Sequence, residues 1–321
     1  MKIRVARALI QVALCPLIFA ACNDSTGPNP NLAWSIVPSG TVNELDGVWG
    51  TSASNVWAVG YETILHYDGA TWSTVVGGSG SVLSGTWLVG IWGSSASNIW
   101  AVGYVSGGPA VLLHYDGFNW ASVPSPSTTE TGYGSISGSS ASDVWIVGSS
   151  GLTHYDGTSW SIVPTGTTQG LFAVWASSPS EVWVAGDEGM FHYNGTSWAP
   201  VTGVPSEFLV LSGTSQSDVW AVGRSGPNHY DGTSWSVARQ ESGFPEIPLG
   251  VWASSPTDAW AVGINFHLAI VSKIAHYNGT TWSDVAIGKS SALLVAVWGS
   301  SATDVWVVGD GGTILHGTPT K

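Results

Sequence analysis

Hydrophobic and polar positions alternate in short runs along residues 32–321, a pattern that is typical of β-strands. One apolar run, an apolar residue and tryptophan followed by A-V-G, I-V-G, V-A-G or V-V-G, recurs seven times at intervals of 37 to 46 residues. Because this run has no polar side, it predicts a strand that is covered on both faces. No helical periodicity is present in this part of the chain, so the pattern predicts an all-β fold.

Each repeat has room for four such strands, which we call a to d. In the first repeat they read G-V-W-G, N-V-W-A-V-G, T-I-L-H-Y and T-W-S-T-V-V. A Ser/Ala-rich turn links strands a and b, and Asp-Gly or Asn-Gly links strands c and d, a strong hairpin signal. Strand d alternates more than strand b, as expected of an outer strand with one wet face.

Two tryptophans mark each repeat, and their count predicts how the array closes. Strand b carries seven (Trp57, Trp100, Trp145, Trp183, Trp220, Trp260 and Trp306), and strand d carries six (Trp72, Trp120, Trp160, Trp198, Trp235 and Trp282). The sequence after Trp306 lacks the strand-d tryptophan, whereas Trp34 precedes the first repeat. An N-terminal strand that completes the last repeat predicts a closed ring, a single seven-bladed β-propeller with four-stranded blades over residues 32–321.

The repeated tryptophans and histidines are predicted to be structural. Nineteen of the 20 tryptophans occupy repeat positions, five of them on strand a, and Trp87 lies outside the pattern. Seven of the eight histidines recur at one position of strand c, and His267 does not. We expect each of the seven to hydrogen-bond within its blade, to a hydroxyl of the Ser-rich turn or to the acid or amide before strand b. We therefore predict no metal site and no cofactor.

The first residues have the pattern of an export signal. Three basic residues precede an apolar stretch over residues 8–21, which is shorter than the about 20 residues that span a bilayer. The stretch ends in F-A-A-C, which resembles the lipobox of bacterial lipoproteins with Phe19 in place of the usual leucine. The resemblance implies a signal peptide over residues 1–21, a lipid-modified Cys22 and a tether over residues 22–31. The alternative is an ordinary signal peptide that is cleaved near Ala21.

Charge excludes one class of partner. The net charge is −13, and without residues 1–21 five basic residues face 21 acidic ones, which gives −16. A nucleic-acid partner requires a basic stripe, and the sequence has none. Attachment to a membrane would therefore depend on the lipid anchor alone, with the protein exported and facing the periplasm or the cell surface.

The Y-D-G-T-S-W and I-W-G-S-S-A-S-N segments resemble tectonin and Asp-box repeats over residues 31–321, although glycine follows the aspartate directly here. Tectonin-type repeats occur in lectin-like propellers, and Asp-box repeats occur in sialidases among other proteins. With Arg224 and Arg239 as its only arginines after the signal segment, the chain lacks the arginine cluster of a sialidase site. The adjacent acids Asp187 and Glu188 could be the carboxylate pair of a glycosidase, but the simpler interpretation is that they are solvated residues of one turn. We therefore assign no catalytic residue and keep a glycan-active enzyme as a remote alternative.

Any specific site should lie where the repeats differ. The a–b and c–d turns are nearly identical between repeats, whereas the b–c and d–a loops on the opposite face vary in length and chemistry. This variable face carries residue types that are frequent in binding hot spots. The alternative for each of them is that it only fixes its own loop. The candidates are Tyr61, Trp87, Tyr104, Tyr133, Asp187, Arg224, Arg239, Phe244 and His267.

Two functions compete for this face. One is a lipid-anchored platform that binds a protein or complex of the cell envelope as an accessory or assembly subunit. The other is a tectonin-like carbohydrate-binding propeller that binds a surface polysaccharide. Lectin propellers often repeat one sugar pocket between blades, and the variable loops show no repeated set of polar and aromatic residues. The sequence therefore favours a protein partner.

Overall fold

The computed structural model describes residues 32–77, 82–127, 129–167, 169–205, 208–240, 244–266, 271–287 and 292–320. The proposed signal segment, Cys22, the tether and His267 lie outside these ranges. The described residues form seven sheets of four antiparallel strands in a ring, which confirms the predicted seven-bladed β-propeller. Within these ranges, no helix is both long and apolar enough to span a bilayer.

Blades 1 to 4 follow the order a, b, c, d along the chain. Their strands are β2 to β17, and β1 belongs to blade 7. They are β2 Leu45–Ser52, β3 Asn55–Gly60, β4 Thr63–Tyr67 and β5 Trp72–Gly77; β6 Thr86–Ser95, β7 Asn98–Val105, β8 Ala110–Tyr115 and β9 Trp120–Ser122; β10 Tyr133–Ser140, β11 Asp143–Gly148, β12 Gly151–Tyr155 and β13 Trp160–Val163; β14 Leu171–Ser178, β15 Glu181–Gly186, β16 Gly189–Tyr193 and β17 Trp198–Pro200.

Blades 5 and 6 repeat this order, and blade 7 combines the two ends of the described chain. The strands are β18 Phe208–Ser215, β19 Asp218–Gly223, β20 Gly226–Tyr230 and β21 Trp235–Val237; β22 Ile247–Ser255, β23 Asp258–Asn265, β24 Val271–Tyr277 and β25 Trp282–Val285; and β26 Leu294–Ser301, β27 Asp304–Gly309, β28 Ile314–Pro319 and β1 Leu32–Ile36. A 3-10 turn, Asp310–Gly312, links β27 to β28.

The closure that the tryptophan count predicts is present. Strand β1 pairs antiparallel with β28, from Leu32 opposite Pro319 to Ile36 opposite Leu315. In this register Trp34 lies opposite Gly317, and its indole packs edge-on against Trp260 of blade 6 with 5.5 Å between ring centroids. The N-terminal strand therefore supplies both the outer strand of blade 7 and one of its contacts with blade 6.

One tryptophan pair joins every two neighbouring blades. The strand-d tryptophan of each blade meets the strand-b tryptophan of the preceding blade edge-on, with ring centroids 5.2 to 6.3 Å apart. An edge-to-face pair contributes about 0.5–1.5 kcal/mol beyond the apolar area that it buries. The tryptophans are therefore packing residues at the seven blade interfaces, as the repeat pattern predicts.

The strand-c histidines complete this core, and the prediction that they bond within their blades is confirmed. Each imidazole packs against the strand-b tryptophan of its blade, with ring centroids 3.7 to 4.3 Å apart. Each Nε2 lies 2.6 to 3.1 Å from the acid or amide oxygen at the start of strand b. That oxygen belongs to Asn in blades 1 and 2 and to Asp or Glu in the other five.

The choice between amide and acid predicts how stability changes with pH. Burial lowers the pKa of His66 and His114, the two histidines that face Asn. As the pH drops, these two histidines are therefore protonated in the unfolded chain before they are protonated in the folded one. We expect the free energy of unfolding to fall as the pH drops below about 6.5. Burial alone would raise the pKa of Asp143, but hydrogen bonds from His154 and Ser139 lower it overall, so stability from this carboxylate is lost only below about pH 4.

The test is to replace Asn55 with aspartate and to follow both the urea midpoint and the His66 imidazole resonance with pH. A carboxylate at the position of the Asn55 oxygen, 2.7 Å from His66 Nε2, should raise the pKa of His66 and reduce the loss of stability that begins below about pH 6.5. The variant Thr51→Ala removes a neighbour of the Asn55 amide without adding charge and serves as the control. An unchanged His66 titration in Asn55→Asp would contradict the prediction.

The c–d turns are longer than a two-residue hairpin. In blade 1, Tyr67 pairs with Trp72 and leaves four residues between the strands. The Asp or Asn side chain that opens each of the six turns accepts two backbone N–H groups at 2.7 to 3.1 Å, and the following glycine has a φ of 85° to 95°. Glycine is favoured there because this φ penalises a Cβ.

Close packing between the innermost strands explains a second set of glycines. A Cβ on Gly93 of β6 would lie 2.6 Å from the Trp49 ring of β2, and the same clash with a strand-a tryptophan recurs at Gly50, Gly138, Gly213 and Gly299. In the two remaining blades the equivalent residues are Ala176 and Ala253, and the preceding blade then carries serine, Ser137 or Ser212, in place of the tryptophan. Tryptophan on one blade thus requires glycine on the next.

Candidate functional site: the variable face and the axial channel

A β-bulge near the start of every strand a positions the inner wall of the ring. The bulge leaves one extra, unpaired residue between two paired positions, as Asp46 lies between Leu45 and Gly47 in blade 1. Extra residues of this kind redirect a side chain from the regular alternation of a strand. All seven line the axial channel, and we call them the collar: Asp46, Val89, Gly134, Phe172, Leu209, Leu249 and Val295.

The collar is apolar with two exceptions. Five of its members have aliphatic or aromatic side chains, Asp46 is a carboxylate with 3% of its surface exposed, and Gly134 has no side chain. The channel that these residues line has a cavity volume of about 230 Å³. The absence of a side chain at Gly134 leaves a gap in the collar on the side of blade 3.

A second cavity of about 420 Å³ opens on the variable face beside this gap, and we call it the side pocket. It lies among the b–c and d–a loops of blades 2 to 4 and shares Tyr104, Gly134 and Phe172 with the channel. Its volume falls within the range of small-ligand sites. Its other lining residues are Val105, Gly107, Gly108, Thr131, Gly132, Gly148, Ser149, Gly170, Leu171 and Asp187.

A buried carboxylate holds one wall of the side pocket. Glu130 is 5% exposed and accepts backbone N–H groups from Gly132, Ser149 and Ser150 at 3.1, 3.0 and 2.9 Å, and the Ser149 hydroxyl at 2.5 Å. Four hydrogen bonds from two loops to one carboxyl group fix the d–a link before blade 3 against the b–c turn of the same blade. Glu130 is therefore a positioning residue for this pocket.

Tyr61 and Trp87 form an aromatic pair on the same face. Tyr61 lies in the b–c turn of blade 1, Trp87 lies in strand β6 of blade 2, and their ring centroids are 4.6 Å apart. Both side chains are half-buried. A hydrogen bond to Glu62 raises the pKa of Tyr61, and Glu62 also accepts the Gly85 N–H. Trp87 lies opposite Tyr104 in the β6–β7 ladder, so these candidates share one region of the face.

Two candidates are buried packing residues. Tyr133 is 2% exposed, and its hydroxyl lies 2.7 Å from Ser125 Oγ; burial raises the pKa of Tyr133. Phe244 is 7% exposed and packs edge-on against Trp282 with 5.2 Å between ring centroids. Because both side chains are enclosed, neither contributes to the open surface that the sequence suggested.

The remaining described candidates lie in three regions. Asp187 is exposed in the b–c turn of blade 4 and lines the side pocket, as does the largely buried Tyr104. Arg224 is exposed in the b–c turn of blade 5. Arg239 is exposed beside the outer strand of blade 6, where its carbonyl accepts the Trp282 N–H at 2.9 Å. The arginines therefore do not line the side pocket.

Sequence reasoning missed the collar and Glu130. The collar residue stands three places before the strand-a tryptophan or serine in every repeat, so an alignment of the repeats could have singled out Gly134 and Phe172. No other repeat has an acidic residue at the position of Glu130, four places before the collar residue, so an alignment of the repeats would not have identified it. Within the described ranges, no group of three or more His, Cys, Asp or Glu side chains could hold a metal ion.

Comparison with known proteins identifies a fold and no family. No protein-family model matches the sequence, and no curated protein sequence matches it. Among solved structures, YCF48 bound to a D1 peptide is similar with a TM-score of 0.66 and 18% identity, over 92% of this chain and 99% of that one. YCF48 from Cyanidioschyzon merolae is similar with a TM-score of 0.65 and 15% identity, over 89% and 99%.

Two further structures show how widely this fold is used. The WD40 β-propeller domain of Doa1 is similar with a TM-score of 0.69 and 12% identity, over 90% of this chain and 98% of that one. The GH74 xyloglucanase from Xanthomonas campestris is similar with a TM-score of 0.65 and 13% identity, and this chain spans 53% of it. Identities this low establish a shared propeller fold and leave function to the site.

Proposed function

We propose that this chain is a non-enzymatic binding propeller that holds a protein partner on its variable face. The observation that carries the proposal is the side pocket, which opens on this face and joins the axial channel at Gly134. Its lining is mostly glycine and apolar residues, with Asp187 at its edge, which suits a segment of a protein chain. The structurally similar YCF48 has been solved bound to a D1 peptide, which supports a peptide partner.

The second part of the proposal is the location. The F-A-A-C sequence supports a lipid anchor at Cys22 and a place on the extracytoplasmic side of a bacterial envelope. In that setting the propeller would act as an accessory or assembly subunit of an envelope complex. Labelling with radioactive palmitate tests the anchor: the wild-type chain should incorporate label and Cys22→Ser should not.

Purification from membranes in mild detergent tests the partner. We expect a protein to co-elute in a fixed ratio and to be lost from Phe172→Ala or Arg224→Glu, which alter the variable face. The matched control is Phe118→Ala, because Phe118 is 87% exposed on a c–d turn of the opposite face. Retention of the partner by both variable-face variants and loss in Phe118→Ala would place the interface on the other face and contradict the proposal.

One observation favours a carbohydrate partner as the second candidate. The half-buried Tyr61–Trp87 pair presents aromatic surface beside the Glu62 carboxylate, a combination that can bind a sugar ring, in keeping with the resemblance to tectonin repeats. Retention on a polysaccharide resin, release by free sugar and loss of retention in Trp87→Ala would favour this function over the first.

A further inference from the structure

We infer that the side pocket recognises an extended peptide segment that carries a large apolar side chain next to a basic one. This inference rests on the proposed function and specifies the chemistry of its partner. The pocket and the channel meet at Gly134, so the gap in the collar forms a notch with Tyr104 on one side and Phe172 on the other.

The notch is shaped for an apolar group. Phe172, Leu171 and the largely buried Tyr104, which is 9% exposed, line the pocket. A side chain inserted at Gly134 would contact this surface and the apolar collar beyond it. Burying an aliphatic or aromatic anchor in a cavity is how a few residues supply most of the affinity of a peptide interface.

The charge at the pocket edge selects a basic neighbour. Asp187 is the ionisable acid among the lining residues, and no lysine or arginine lines the pocket. The whole chain carries a net charge of −13, so its field also favours a cationic segment. A volume of about 420 Å³ accommodates a few side chains and not a folded domain, which points to an extended segment.

A displayed library of random ten-residue peptides tests the inference directly. On the wild-type protein we expect selection to enrich an apolar residue adjacent to Lys or Arg. Gly134→Val should weaken the binding of a selected peptide roughly tenfold or more by filling the notch. A Cβ at Gly134 meets nothing nearer than 3.6 Å, and valine occupies the equivalent collar position in Val89 and Val295, so this variant should fold normally.

Two adjacent acids provide the matched pair for charge. Asp187→Asn should weaken the selected peptide about twofold to fivefold and reduce the salt dependence, as expected for an exposed ion pair. Glu188 is exposed in the same turn and does not line the pocket, so Glu188→Gln should leave binding unchanged. Enrichment of acidic peptides, or equal binding to wild type and Gly134→Val, would overturn the inference.

The same variants separate this inference from the proposed function. If Gly134→Val and Phe172→Ala still co-purify with the native partner and Arg224→Glu does not, the variable face binds a protein without using the notch. If the wild-type chain co-purifies with no protein at all, the proposed function itself fails. Melting temperatures equal to wild type show that each variant has kept its ring.

Discussion

A chain without strand β1 is expected to lose its folded ring. Deletion of residues 31–37 removes the outer strand of blade 7, leaves the edge of β28 unpaired and takes Trp34 away from Trp260. An exposed strand edge is a template for pairing between molecules, so we expect aggregation as well as a lower melting temperature. The measurement is thermal unfolding together with size-exclusion chromatography of the purified protein.

Single substitutions in β1 separate the packing contribution from the loss of the strand. Trp34→Ala should destabilise the protein by about 3 kcal/mol, at the lower end of the range for removing a large aromatic side chain, because Trp34 is only half-buried. Ile36→Ser is the control, since Ile36 is 72% exposed in the same strand and should cost little. A monodisperse deletion variant that melts like wild type would refute closure by the N-terminal strand.

Gly93→Ala is expected to destabilise the ring strongly, although it adds only one methyl group. Its Cβ would lie 2.6 Å from the Trp49 ring and 2.8 Å from the Asn98 carbonyl oxygen. Alanine occupies the equivalent position in blades 4 and 6, and the blade that precedes each of them carries serine in place of the strand-a tryptophan, so the indole decides the outcome. Overpacking of this kind costs about 1–3 kcal/mol, measurable as a shift in the urea midpoint.

A double-mutant cycle gives this prediction its control. In a Trp49→Ser background, which copies the pairing of Ser137 with Ala176, Gly93→Ala should cost almost nothing. The reverse change, Ser137→Trp, should be tolerated better when Ala176 is replaced by glycine. Equal costs of Gly93→Ala in both backgrounds would show that the Asn98 carbonyl, and not the indole, requires the glycine.

The fold could be predicted because its defining residues repeat. The tryptophans of strands b and d, the strand-c histidines and the turn glycines each occupy one place in every blade, and one packing solution satisfies all seven copies. The missing final tryptophan could be assigned to Trp34 for the same reason. The length of the c–d turns could not be predicted in the same way, because Asp-Gly occurs both in two-residue hairpin turns and at the start of the four-residue turns found here.

The channel and the side pocket were predicted less well because they depend on departures from the repeat. The bulge in strand a shifts the alternation of side chains, so Phe172 and Gly134 reach the channel where a regular strand would have presented their neighbours. Tyr133 looked like a loop aromatic, yet it occupies the strand-a position directly before the bulge, which is Leu45 in blade 1 and Leu88 in blade 2. Phe244 has no repeated counterpart, and its burial depends on the neighbouring blade.

The pairing of β1 with β28 in blade 7 also determines which step of folding comes last. The Ser35 hydroxyl donates to the His316 carbonyl oxygen, 281 residues away in the chain. Strands β1 and β28 are therefore the two neighbouring strands of the ring with the largest separation in sequence. Local blades can form as soon as their four strands have been synthesised, whereas such distant pairing is slow. Strand β1 is made first and paired last. A chain whose synthesis stops before β28 therefore keeps β1 as an unpaired strand. We expect proteases and chaperones to bind this exposed strand in incomplete chains and not in complete ones.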